Sequence, residues 1–99
     1  NTQKVRKIMA LYEELKKRIA EITRSQHAIR ILDALFDHPV FSTSDFLKQT
    51  GIPKQTAMPL LQKIRGAEIL STLREAKGAI PAILAFPALL NIAEGKIVL

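Results

Sequence analysis

Between Lys54 and Arg65 the chain carries Lys54, Gln55, Thr56, Gln62, Lys63 and Arg65 with no acidic residue among them, and Arg74 and Lys77 follow. A glutamine amide can donate to and accept from one base edge at once, which suits adenine in a major groove, while lysine and arginine hold phosphates. Gln55 and Gln62 are therefore candidate base readers, with Thr56 beside them. Lys54, Lys63, Arg65, Arg74 and Lys77 are candidate phosphate contacts. The same residues also fit a solvated helix face or a surface that meets protein, and the sequence leaves those readings open.

Other chemistry has fewer residues to draw on. His27 lies among Arg24 and Arg30, and His38 precedes Pro39 at a helix end, where an imidazole commonly caps carbonyls. Two histidines and no cysteine are too few for a structural zinc site, so no metal is expected. The chain has no Gly-rich phosphate loop, nucleophile elbow or paired-carboxylate constellation; Gly51, Gly66, Gly78 and Gly95 mark turns or helix ends. No catalytic residue and no cofactor are assigned, and the chain reads as a binding module rather than an enzyme.

The elements that must position these residues follow from apolar spacing. Val5, Ile8, Met9, Leu11, Tyr12, Leu15, Ile19 and Ile22 recur every three or four residues and predict a long amphipathic helix. Ala28, Ile29, Ile31, Leu32, Leu35 and Phe36 predict a second, with Ser25 as its N-cap or as a bend in one continuing helix, and Pro39 ends it. Val40-Phe41-Ser42 reads as a short edge strand, after which Thr43 or Ser44 caps a short helix carrying Phe46 and Leu47. Thr50-Gly51-Ile52-Pro53 turns the chain. Ala57, Leu60, Leu61 and Ile64 then give the buried face of a helix ending near Gly66, with Gln55, Pro59, Gln62 and Gly66 opposite it. Helix, tight glycine turn, helix is the helix-turn-helix pattern.

Pro59 conflicts with that helix, because proline removes a backbone donor and crowds the preceding turn. The expectation is a kink, or a helix that starts later. Beyond it, Ile69–Glu75 reads as a strand, Lys77-Gly78 as a turn and Ala79–Phe86 as a second strand broken by Pro81. Pro87 opens a last helix, Ala88–Ala93, which Gly95 stops. The fold predicted is mainly α with a small β wing: a winged helix-turn-helix over residues 25–99, behind a leading helix over residues 1–24.

The length of 99 residues allows one core with an appended helix, and 47% hydrophobic with 24% charged residues is the balance of a folded soluble domain. The formal charge of +6 suggests an acidic partner such as nucleic acid. Its distribution blunts that suggestion, since residues 1–30 carry net +5, residues 31–66 net +1 and the remainder zero. The chain begins at Asn1 in what already reads as helix, which predicts a piece of a longer, cytoplasmic protein. No run is long and apolar enough to span a membrane.

The motifs resemble one family, the C-terminal winged-helix segment of bacterial Fic-domain proteins. The resemblance is carried by Leu11-Tyr12-Glu13-Glu14-Leu15-Lys16, by the run from Ser25-Gln26-His27-Ala28 to Phe36, by Thr50-Gly51-Ile52-Pro53-Lys54-Gln55-Thr56-Ala57, and most specifically by Phe86-Pro87-Ala88-Leu89-Leu90-Asn91-Ile92-Ala93-Glu94-Gly95. It implies a parent enzyme that transfers AMP from ATP to hydroxyl side chains of target proteins, through a core preceding residue 1. That core's motif, His-Pro-Phe-x-x-Gly-Asn-Gly-Arg, has no counterpart here; His38-Pro39-Val40-Phe41 lacks the glycines and the arginine. Met58 and Pro59 also depart from the polar or basic residues usual at that helix.

Two functions follow as expectations. One is a non-catalytic module that contacts DNA, protein or a second copy of itself behind a Fic core; the other is a sequence-specific transcriptional regulator. In the first, Val5, Ile8, Leu11, Tyr12, Leu15 and Ile19 form a seam that packs on the upstream core, on the winged helix, or between the subunits of a homodimer.

Overall fold

A computed structural model describes residues 2–95. In chain order the elements are α1 (Thr2–Thr23), α2 (Ala28–Asp37), β1 (Val40–Ser42), α3 (Thr43–Thr50), α4 (Lys54–Gly66), β2 (Ser71–Arg74), β3 (Ile83–Ala85) and α5 (Pro87–Glu94). The strands form one antiparallel sheet in the order β1-β3-β2, so the β2-β3 hairpin is the wing and β1 is an edge. This is a winged helix-turn-helix behind a long leading helix.

The first helix boundary differs from the expected serine cap. α1 stops where Arg24 adopts a left-handed φ of +47°, and α2 starts after His27, which occupies the N-cap position without a side-chain cap. Ser25 is neither that cap nor a bend in one helix. Its hydroxyl accepts from the His27 N–H at 3.0 Å, and its carbonyl accepts from the Ala28 N–H, closing the turn between two separate helices. At the far end of α2 the main-chain N–H of His38 bonds the Ala34 carbonyl at 3.0 Å.

Ser42, rather than Thr43 or Ser44, caps α3, since its extended backbone aims the hydroxyl at the Asp45 N–H 3.1 Å away. Thr43 is already helical and buried. The wing strands are shorter than their sequence runs. Ile69 and Leu70 sit buried in the connection before β2, and Pro81, which has no N–H to give a ladder, separates β3 from the hairpin tip. Leu73 is the extra residue of a bulge between the Thr72–Leu84 and Arg74–Ile83 pairs. The tip itself is closed by reciprocal 2.9 Å bonds between Lys77 and Ile80, with Gly78 at φ +58° in the first central position of a two-residue turn. The last helix begins at Pro87 and runs one residue past Ala93 before Gly95.

The core joins every helix. Ile31, Leu32 and Leu35 of α2, Phe46 of α3, Leu61 and Ile64 of α4, and Leu84 and Phe86 around β3 are almost fully buried, and Leu15 and Ile19 of α1 pack among them. Tyr12, Phe36 and Phe86 continue this core as two edge-to-face ring pairs, each with centroids 5.2 Å apart. No helix among the described residues is long and apolar enough to cross a membrane.

Candidate nucleic-acid interface

The aim of α4 is set by the turn before it. At the end of α3, the Thr50 hydroxyl donates to the Phe46 carbonyl at 2.9 Å and accepts from the Ile52 N–H at 3.3 Å. Gly51 takes the left-handed φ of +70° that lets its own N–H reach the Leu47 carbonyl, a conformation costly for a residue with a Cβ. Ile52 is buried, and Arg30 of α2 donates to the Thr50 carbonyl at 3.4 Å. Side chains of α2, α3 and the turn thus fix where α4 begins. Thr50 carries a signal in the sequence, a hydroxyl just ahead of a capping glycine, whereas Arg30 lies twenty residues away and carries none.

α4 buries Ala57, Leu60, Leu61 and Ile64, as the spacing predicts, and presents Lys54, Gln55, Thr56, Pro59, Gln62, Lys63 and Gly66 to solvent. It runs unbroken through Pro59, so the expected later start is overturned. The reason lies in the first turn. The Pro53 carbonyl accepts from both the Thr56 and Ala57 N–H groups at 2.9 Å, establishing the helix before Pro59 is reached. The acceptor that Pro59 cannot serve, the Gln55 carbonyl, belongs to an exposed residue that water can reach. No side chain caps this end of α4, and its first turn contains no acidic residue.

Arg65 has a different place from its helix neighbours. Its guanidinium donates to the Thr72 hydroxyl of β2 at 2.6 Å and lies 3.7 Å from the exposed Glu75 carboxylate. It therefore staples the helix to the wing, and a phosphate would have to compete for it. Arg74 donates to the Pro81 carbonyl across the hairpin at 2.8 Å, bracing the wing in the same way. Lys54, Lys63 and Lys77 remain exposed. Lys54, Gln55, Thr56, Gln62 and Lys63 are thus exposed on α4 and Lys77 on the hairpin, while the two arginines of the candidate set are already engaged within the domain.

The positive excess of α1 also has a local use. Arg18 reaches the Ala67 carbonyl just beyond α4 at 3.5 Å, and Lys4 donates to the Ala93 carbonyl of α5 at 3.1 Å. Both cations thus face the negative ends of neighbouring helices, where positive charge is favourable. Of the apolar seam, Leu15 and Ile19 lie in the core, Ile8, Leu11 and Tyr12 are half-buried against it, and Val5 is 52% exposed. Its exposed neighbour is Met9, at 64%. His27 has its Nδ1 buried without a hydrogen-bond partner, and His38 borders a shallow recess with Val40, Phe41 and Asp45.

No protein-family model, no curated protein and no solved structure matches the chain.

Proposed function

We propose that this chain is a non-catalytic winged-helix module that contacts duplex DNA through the outward face of α4 and the wing. The observation that carries this reading is the exposed, acid-free set of Lys54, Gln55, Thr56, Gln62 and Lys63 on a helix whose start is fixed by the turn. The positive end of the helix dipole and Lys54 favour a phosphate at the mouth of the groove. Gln55 and Gln62 are amides able to bond base edges, and Lys77 at the hairpin tip meets the neighbouring backbone. In keeping with the Fic resemblance, the module would follow an AMP-transferring core that performs the chemistry. A free-standing transcriptional regulator would use the same residues.

The test is binding of a fluorescent duplex as salt is raised. Affinity should fall steeply with salt, and Lys54→Gln or Lys63→Gln should each shallow the slope of log K against log salt by about one. Arg65→Gln should shallow it by less, because the guanidinium is already engaged by Thr72 and Glu75. Absence of binding at low salt overturns the reading. A second reading, contact with protein or a second copy through α1, is favoured by the exposure of Val5 and Met9. Sedimentation over a range of concentrations addresses it, since a dimer through this face should dissociate in Met9→Glu.

A further inference from the structure

The residues opposite the buried face of α4 are Gln55, Pro59, Gln62 and Gly66, all exposed. None of them is charged. The cations of the helix lie beside that line or are committed elsewhere, with Arg65 turned to the wing. A side chain that reads guanine does so most often as arginine or lysine bonding O6 and N7 together, and the line has no such group. It offers two amides, which match the N7 acceptor and N6 donor of adenine, and between them an apolar pyrrolidine ring.

The domain's own packing gives no reason for that ring. Pro59 is exposed and ranks lowest of all residues in a helix interior. Gly66 is the last residue of α4, and a Cβ added there would meet nothing within 4 Å. Pro59 is therefore a poor helix former inside α4 on its outward line, where it does not support the core. An apolar group without hydrogen-bonding capacity on a groove-facing surface has one base feature to complement, the C5 methyl of thymine.

Resting on the reading of α4 as a major-groove element, we propose that it recognises A·T pairs, with Gln55 and Gln62 each bonding an adenine and Pro59 packing on a thymine methyl between them. Gln55 and Gln62 are seven residues apart, about 10 Å at a rise of ~1.5 Å per residue. Base pairs stack at ~3.4 Å, so the two amides span roughly three steps when α4 lies along the groove. Pro59, one turn from either, falls over the two pairs between. The smooth end at Gly66 lets the helix leave the groove without striking its wall.

The test compares labelled duplexes identical except for a central block of A·T or of G·C pairs, at fixed low salt. The A·T block should bind about tenfold tighter, and Gln55→Ala with Gln62→Ala should erase most of that ratio. Replacing the central thymines by deoxyuridine removes only the methyl, and should weaken binding of the native chain about fourfold, the size of one buried carbon. Pro59→Ser should be indifferent to that change, with circular dichroism confirming that it folds. Equal binding of both blocks, a preference for G·C, or indifference of the native chain to the methyl overturns the A·T assignment while leaving DNA contact intact. No binding to either duplex overturns the DNA reading itself, and binding of a protein target instead replaces it.

Discussion

Tyr12 joins α1 to α2 by one short polar contact at the edge of the core. Its hydroxyl donates to the Asp33 carboxylate at 2.7 Å while its ring packs edge-to-face on Phe36. The hydrogen bond, then burial, then the negative charges of Asp33 and Glu13 hold the phenol above its ordinary pKa of 10.0. Because the protonated form makes the bond, its stabilisation is complete below the unfolded pKa and is lost as pH rises through the higher folded value. Urea unfolding of the native chain and of Tyr12→Phe should therefore differ by about 0.5–1 kcal/mol near neutral pH, where the native chain is the more stable. The difference should vanish in strong alkali, as the phenolate faces Asp33. A gap that widens with pH would contradict this.

At the scale of elements, α4 is where local preference and tertiary need diverge. The apolar spacing of Ala57, Leu60, Leu61 and Ile64 foretells which face is buried, because one helical period generates both. That period says nothing about whether a proline can be absorbed on the opposite face. It can here because Pro53 has already taken two first-turn bonds and Gln55, whose carbonyl Pro59 cannot serve, is an exposed residue. The cap at Ser42 was equally hidden, since Ser42, Thr43 and Ser44 are chemically interchangeable and only backbone direction selects among them. Arg65 and Arg74 read as free cations for the same reason: their acceptors, Thr72 and Pro81, come into reach only when the hairpin folds back. The proline still costs the helix something. Pro59→Ala restores a donor and a better helix former, and thermal unfolding should find the variant more stable by about 1–2 kcal/mol. A loss of stability would mean that the ring packs on something within the domain.

For the whole molecule, the question is whether α1 is an appendage to the winged helix or part of it. Leu15 is 2% exposed and Ile19 fully buried, among the same residues that form the interior of α2 and α4. Arg18 and Lys4 add contacts to the ends of α4 and α5, and Thr23 bonds back to the Ile19 carbonyl to finish the helix inside the core. Removing α1 would uncover these faces, and truncating one buried leucine or isoleucine to alanine already costs about 2–5 kcal/mol. Domains of this size are stable by about 5–15 kcal/mol in total. Residues 25–99 alone should therefore lose cooperative unfolding and bind a hydrophobic dye, while the 99-residue chain melts in one transition by both circular dichroism and fluorescence. Leu15→Ala should fall between them, with a lower midpoint and an unchanged denaturant slope. If 25–99 instead melts cooperatively near the temperature of the full chain, α1 is an independent arm, and the burial of Leu15 and Ile19 adds little to the stability of α2 and α4. A cooperative unit of α1 with the rest would mean that the leading helix, α4 and the wing move as one rigid body, so that the direction of α1 fixes that of α4.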